Sequence, residues 1–94
     1  MLKVGILGLG WWGTELAKAL EKLPQRAEIA ACASREFKDS KEFAKRFGGH
    51  PCRDLDEILT RPDIDAVILS TPHSQHADQI SVSASANKHV FVEK

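Results

Sequence analysis

Three glycines, Gly8, Gly10 and Gly13, are spaced as G-x-G-x-x-G, with Leu9, Trp11 and Trp12 between them. This pattern can hold a diphosphate. Gly8 permits a tight turn, Gly10 has no Cβ to keep a pyrophosphate off the backbone, and Gly13 lets a following helix pack closely on the preceding strand. Unpaired N–H groups at the start of that helix, at the positive end of its dipole, complete an anion cradle. Alone the motif is weak; it becomes specific when a strand precedes it and a helix follows. A glycine-rich turn that only packs, or one that binds a methyl donor, uses the same residues. Trp11 and Trp12 either lie over the ligand and its entrance or cover neighbouring loops; neither is read as catalytic.

A second stretch bears on which dinucleotide would fit. Sites for NAD place an acidic residue at the end of the second strand, about 20 residues past the glycines. Here the stretch reads Cys32-Ala33-Ser34-Arg35, with no carboxylate at the strand tip. Ser34 can donate a hydrogen bond to a phosphate, and Arg35 offers a planar, permanently charged fork. The expected cofactor is therefore NADP in preference to NAD. Glu36 turned inward would oppose this, and the competing reading of Arg35 is a solvated loop charge.

The third constellation is Ser70-Thr71-Pro72-His73-Ser74-Gln75-His76, after the most strand-like run of the chain. It falls at the carboxyl edge of a sheet, where open α/β folds bind ligands. Pro72 fixes a turn and keeps Thr71 out of the helical region. Ser70, Thr71, His73 and His76 are read as polar contacts to the cofactor. His73 and His76, three apart, share a helical face, but two histidines without a third ligand are poor evidence for zinc. No metal is expected.

Alternating elements must position these groups. Lys3 to Leu7 reads as a strand feeding the glycines. A helix follows, with Leu16, Leu20 and Leu23 on one face and Ala17 and Ala19 beside them, ended by Pro24. Glu28 to Ala33 is a second strand. Asp39, with Glu42 three residues on, has the spacing of a capping box for a helix that buries Phe43, Ala44 and Phe47 and stops at Gly48. His50 to Arg53 reads as a short outer strand, with Pro51 suited to an edge. Asp54 and Glu57 repeat the capping pattern before Ile58 and Leu59. Ala66 to Ser70 is apolar on both faces, as a covered parallel sheet requires. A helix over 74–86, burying Ala77, Ile80 and Ala84 and stopped by a left-handed Asn87, leads to a last strand at His89 to Val92. Strands alternating with helices and joined by right-handed crossovers predict an α/β fold, a Rossmann-type doubly wound parallel sheet that breaks off after its fifth strand.

Composition excludes several classes. The 94 residues carry 13 basic and 13 acidic side chains, for a formal net charge of zero. No basic surplus argues for nucleic acid, and no polybasic helix argues for a membrane surface. No apolar run reaches the roughly 20 residues of a membrane span, and the N-terminus lacks the marks of a signal peptide. Cys32 and Cys52 fit neither a zinc site nor a redox pair, and read as reduced thiols of a cytoplasmic protein.

The C-terminal run Asn87-Lys88-His89-Val90-Phe91-Val92-Glu93-Lys94, taken with the glycine turn and with Thr71 to His76, closely resembles the glucose–fructose oxidoreductase / inositol dehydrogenase / rhizopine-catabolism (Gfo/Idh/MocA) family over essentially the whole chain. The family typically shows T-P-x-x-x-H after the fourth strand and G-K-H-V-x-x-E-K-P at the fifth. Asn87 replaces the usual glycine here. The resemblance implies that Gly8, Gly10, Trp11, Trp12 and Gly13 form the pyrophosphate turn, and that Ser34 and Arg35 stand where NAD and NADP are told apart. Thr71, Pro72, His73 and His76 would border the path from adenosine to nicotinamide. Glu93 would contact the nicotinamide-side ribose, and Lys94 would support catalysis.

A lysine beside a carboxylate at a strand tip can polarise a hydroxyl that is losing hydride, assisting chemistry that the cofactor carries. The competing reading of Lys94 is a solvated chain end. The family's substrate domain, which also forms its oligomer interface, has no counterpart in residues 1–94. The expectation is thus a cofactor domain of an NAD(P)-dependent dehydrogenase acting on a small polyol, sugar or related carbonyl compound, inactive as this fragment and with room for a homo-oligomer. The alternative is a non-catalytic dinucleotide-sensing module. Glu93 and Lys94 speak against that, because a sensor has less need of groups at the hydride end.

Overall fold

The computed structural model describes residues 2–22, 26–71 and 73–92, leaving aside the side chains of Trp11, Trp12 and His73. The expectations that Pro24 ends a helix and that Leu23 lies on its inner face fall outside the described residues, as do those on Pro72, Glu93 and Lys94.

Strands and helices alternate along the chain: β1 (Leu2–Leu7), α1 (Trp11–Glu21), β2 (Ala27–Ala33), α2 (Phe37–Phe47), β3 (His50–Cys52), α3 (Leu55–Leu59), β4 (Ala66–Leu69), a 3-10 turn (His73–Gln75), α4 (His76–Ser85) and β5 (His89–Val92). The five strands form one sheet in the order β3-β2-β1-β4-β5, every described pairing parallel. The chain leaves β1 to build outward on one side, then returns to pair β4 with β1. That reversal opens a crevice between the carboxyl ends of β1 and β4, the switch point where doubly wound sheets bind ligands.

The sheet is covered on both faces, which is why its central strands are apolar throughout. On one side Val4, Ile6, Ala27 and Cys32 cluster with Ala17 of α1 and Phe43 of α2. On the other, Ala31, Ala33, Val67 and Leu69 cluster with Ile58 of α3. Ile58 is fully buried; burial of such a side chain contributes about 1.5–3 kcal/mol. It reaches β1 because Gly5 has no side chain: a Cβ there would come within 2.5 Å of Ile58 Cγ2.

The structure corrects two expectations about the helices. α2 starts at Phe37, with Glu36 in the cap position and no side-chain cap bond, so Asp39 lies inside the first turn. The Asp39 amide already donates to Glu36 O at 3.0 Å. The earlier start sets Phe37 against two cations, Arg53 and Lys41, at 4.4 and 5.5 Å from its ring centroid. Asp39 still favours the helix through its dipole. The expected inner face of α2 holds: Phe43 is buried, and Ala44 and Phe47 pack against the same cluster.

The second correction is the face of α4. Ala77, Ile80 and Ala84 are exposed, whereas His76 and Ser83 are buried. With serines at 81, 83 and 85, the helix has little apolar gradient to orient it, and polar anchors set its rotation instead. His76 Nε2 donates to Thr71 O at 2.7 Å at one end. At the other, Lys88 N bonds Ser83 O at 3.2 Å past Asn87, whose φ of 62° is the expected left-handed stop. Lys88 Nζ then donates to Arg61 O and Ile64 O at 3.1 and 2.7 Å, tying the helix end to the loop before β4.

Candidate functional site

β1 delivers the chain to Gly8, whose φ of +91° turns it sharply toward α1. An L side chain is strained there, and a Cβ would also stand 2.6 Å from Ser70 O. Gly13 is the point of closest packing, where a Cβ would meet Gly8 O at 2.2 Å. Gly10 is the reverse case: among the described residues nothing lies within 4 Å of a Cβ built on it. The three glycines thus divide into one that turns, one that packs and one that stays open.

Gly10 is also the N-cap of α1. It makes no side-chain cap bond, and the first turn holds no acidic residue. Thr14 N donates to Gly10 O at 3.0 Å, so the amides of residues 11–13 lie in the first turn, where helix geometry supplies no intrahelical acceptor. A helix start without its own anion, beside an open glycine, fits a phosphate group.

One cleft of about 860 Å³ runs along the carboxyl edge of the sheet. It brings together Gly8, Leu9 and Gly10 from the turn, Ser34 and Arg35 from the tip of β2, and Ser70 and Thr71 from the tip of β4. A smaller one, about 390 Å³, shares Leu9, Gly10 and Ser34 and continues along α2 to Arg46. Glu36, the residue that could have turned inward, lies 3.5 Å from Lys38 and is absent from both linings.

The β4 tip is held from behind. Ser70 N donates to Leu7 O at 2.8 Å, which locks it to the glycine strand. Thr71 Oγ1 donates to Gln79 Oε1, and the buried His76 ring holds Thr71 O. His76 therefore stands behind the turn rather than in the cleft lining. Ser70 Oγ is buried without a hydrogen-bond partner among the described residues, 3.7 Å from where a Gly13 Cβ would sit.

Sequence reasoning missed several cleft residues: Gln75 at the end of the 3-10 turn and Gln79 on α4, Asp39 on α2, and Arg53, Asp54 and Leu55 after β3. The available signal was positional. Arg53 follows β3 as Ser34 follows β2, and neighbouring parallel strands end at one edge. Gln75 and Gln79 are four apart, which puts them on one helical face, and their side chains are 3.3 Å apart.

His50, Cys52 and Glu57 were also not grouped in advance; each brings a ligand atom within 4.8 Å of the others. These groups have other work. Cys52 Sγ donates to His50 O at 3.6 Å, and Glu57 Oε2 accepts from Arg53 N at 2.8 Å. Burial raises the Cys52 thiol, with Glu57 adding, Arg61 opposing and Asp54 adding. Cys32 is pushed up to about 11, by burial first and then by Cys52. Both are free, buried thiols, held in the protonated form that is neither nucleophile nor good ligand at neutral pH.

Comparison with known proteins agrees with this geometry. The family described as "Oxidoreductase family, NAD-binding Rossmann fold" (GFO_IDH_MocA) matches residues 2–94. A dTDP-3,4-didehydro-2,6-dideoxy-alpha-D-glucose 3-reductase from Actinomadura kijaniata is 38% identical over 96 residues, covering 99% of this chain and 28% of that protein. A 4-carboxy-2-hydroxymuconate-6-semialdehyde dehydrogenase from Sphingobium sp. is 37% identical over 93 residues, covering 98% of this chain and 29% of that protein. Among solved structures, the 3-ketoreductase KijD10 from Actinomadura kijaniata, in complex with NADP and TDP-benzene, superposes with a TM-score of 0.94 at 37% identity, over 99% of this chain and 29% of that one. The chain spans less than a third of the length of these relatives. With the glycine turn, the five-stranded parallel sheet and a family match from end to end, the chain belongs to the Gfo/Idh/MocA oxidoreductase family, as its NAD-binding Rossmann fold.

Proposed function

We propose that this chain is the cofactor-binding part of an oxidoreductase that moves hydride between NADP and a small polyol, sugar or related carbonyl compound. The carrying observation is the cleft in which an uncapped helix start and an open Gly10 face Ser34 and Arg35 at the tip of β2, where no carboxylate stands. NADP titrated against the tryptophan fluorescence of the chain should bind at least several-fold tighter than NAD. Tighter binding of NAD would overturn the preference.

The turn amides of residues 9–13 hold the diphosphate, the Gly8 amide being bonded to Ala33 O at 2.9 Å, and Gly10 lets it approach the backbone. Ser34 and Arg35 take the adenosine 2′-phosphate. Ser70 and Thr71 flank the path toward nicotinamide, with His76 positioning Thr71 from behind; Trp11, Trp12, Pro72 and His73 complete the same contacts by family resemblance. The bound nicotinamide supplies hydride acceptance and donation. Glu93 is assigned to the nicotinamide-side ribose and Lys94 to proton and charge support of the reacting hydroxyl, both from the resemblance.

The substrate would be bound by a part of the protein beyond these residues, and residues 1–94 alone should transfer no hydride. Reduction of NADP by this chain with any polyol would contradict that. We further place the protein in the cytoplasm and leave room for a homo-oligomer, with no role assigned to nucleic acid or membrane. Two free, buried thiols support the location, and among the described residues no helix is long and apolar enough to cross a membrane.

A further inference from the structure

β3 runs beside β2 in parallel register, Ala31 opposite His50 and Ala33 opposite Cys52. One residue further on, Ser34 leaves β2 and Arg53 leaves β3, and both line the large cleft together with Arg35. Arg53 is fixed there at two points. Its amide donates to Glu57 Oε2 at 2.8 Å, and its guanidinium carbon lies 4.4 Å from the Phe37 ring centroid. An arginine held over an aromatic face keeps the N–H groups in the guanidinium's own plane available for a planar pair of oxyanion contacts.

The charges around it are specific. Among the described residues the salt bridges join Lys3 to Glu28, Lys38 to Glu36 and Arg61 to Asp63, so neither Arg35 nor Arg53 is paired with a carboxylate. Two carboxylates do line the cleft. Asp54 is committed to α3, its Oδ1 accepting from Glu57 N at 2.9 Å at that helix's N-terminus. Asp39 lies in the first turn of α2. With Asp39 and Asp54 both in the lining, Arg35 alone would leave this end of the cleft net negative. Arg53 restores the balance and adds a second guanidinium fork for direct hydrogen bonds to a dianion.

We propose that Arg53 is a specificity-determining residue, gripping the 2′-phosphate of the adenosine ribose from the tip of β3 while Arg35 and Ser34 hold it from the tip of β2. This rests on the dinucleotide reading of the cleft given above. Phe37 serves as the platform that holds Arg53 in place.

Isothermal titration of the full chain with 2′,5′-ADP and with 5′-ADP separates the two levels, since only the first probe carries a 2′-phosphate. Arg53→Met keeps a stem able to lie on Phe37 and removes the charge. It should weaken 2′,5′-ADP at least 10-fold, change 5′-ADP less than 2-fold, and reduce the salt dependence of the first probe. Arg53→Lys, charged but without the fork, should fall between Arg53→Met and the unmodified chain. Thermal melts of both variants should match the unmodified chain. An equal loss for both probes, or no loss for either, overturns the role of Arg53. If the unmodified chain binds 5′-ADP as tightly as 2′,5′-ADP, the Arg53 proposal and the NADP preference fall while dinucleotide binding stands. If it binds neither, all three fall.

Discussion

α1 and α3 both begin at the carboxyl edge of the sheet, and both starts border the same cleft. They are finished in opposite ways. α3 closes its own N-terminus: Asp54 accepts from the Glu57 amide, and Asp56 and Glu57 add negative charge in the first turn. Glu57 completes the arrangement by reaching back to Arg53 N rather than to the cap residue itself. α1 does none of this. Its cap is Gly10, its first turn has no acidic residue, and among the described residues nothing lies within 4 Å of the glycine's missing Cβ. α3 has one of its exposed amides capped and its first turn filled with its own negative charge, which disfavours an anion there. A helix capped by glycine between two structural glycines keeps that place open, which suits a ligand's oxygen atoms.

The largest effect should come from removing the packing that brings α1 to the strand. Gly13→Val drives a side chain into Gly8 O. It should destabilise the chain by about 3 kcal/mol or more and abolish dinucleotide binding; urea unfolding followed by circular dichroism measures the first, and a cofactor titration the second. If Gly13→Val melted like the unmodified chain, the close approach would not matter.

Converting α1 into a copy of α3 sharpens the comparison further. Gly10→Asp gives the helix its own carboxylate at a position with open space. Stability should stay level or rise by a few tenths of a kcal/mol. NADP affinity should fall on the order of 100-fold, because the charge meant for the diphosphate now comes from the protein. Titration of the variant alongside its melting curve tests this, and retained affinity would show that the helix start is not the phosphate site.

The converse change is smaller. Asp54→Ala removes the cap of α3 and should cost about 1 kcal/mol, within the usual range of 0.5–2 for such caps. NADP binding should not weaken, since a carboxylate leaves the cleft lining. A substantial loss of affinity would mean that Asp54 contacts the ligand. Smallest of all should be Ile80→Ser on α4. Although its apolar character points to the core, the side chain is 38% exposed, and the change should stay within about 0.5 kcal/mol by urea unfolding. A cost above about 2 kcal/mol would restore the expected inner face of that helix.

That last contrast shows where sequence patterning carries and where it stops. α2 was legible because Phe43, Ala44 and Phe47 stand against a face of Lys, Glu and Arg, a gradient steep enough to fix which side is buried. In α4 serines are spread around the helix, so His76 and Lys88, each bonded to backbone carbonyls, set its rotation. The start of α2 was misjudged because a capping-box spacing at Asp39 and Glu42 competes with a tertiary contact, Phe37 against Arg53, that local sequence does not display.

The glycine turn was readable because each glycine answers to one steric demand. Ser34 and Arg35 were readable because a fixed interval from the turn marks the tip of β2. Arg53 was not, because β3 becomes its neighbour only through strand order, and that order places its tip beside Ser34.

The central claim is that backbone amides of the turn at residues 9–13 cradle the diphosphate of a nicotinamide dinucleotide. It is tested most directly by following the 15N-labelled chain through a titration with NADP. The amide signals of Leu9, Gly10 and Gly13 should move most, with Ser34, Arg35 and Arg53 next and those of α3 beyond Glu57 unmoved. Shifts centred on any other surface, or a turn whose signals stay still at saturating NADP, would contradict the account.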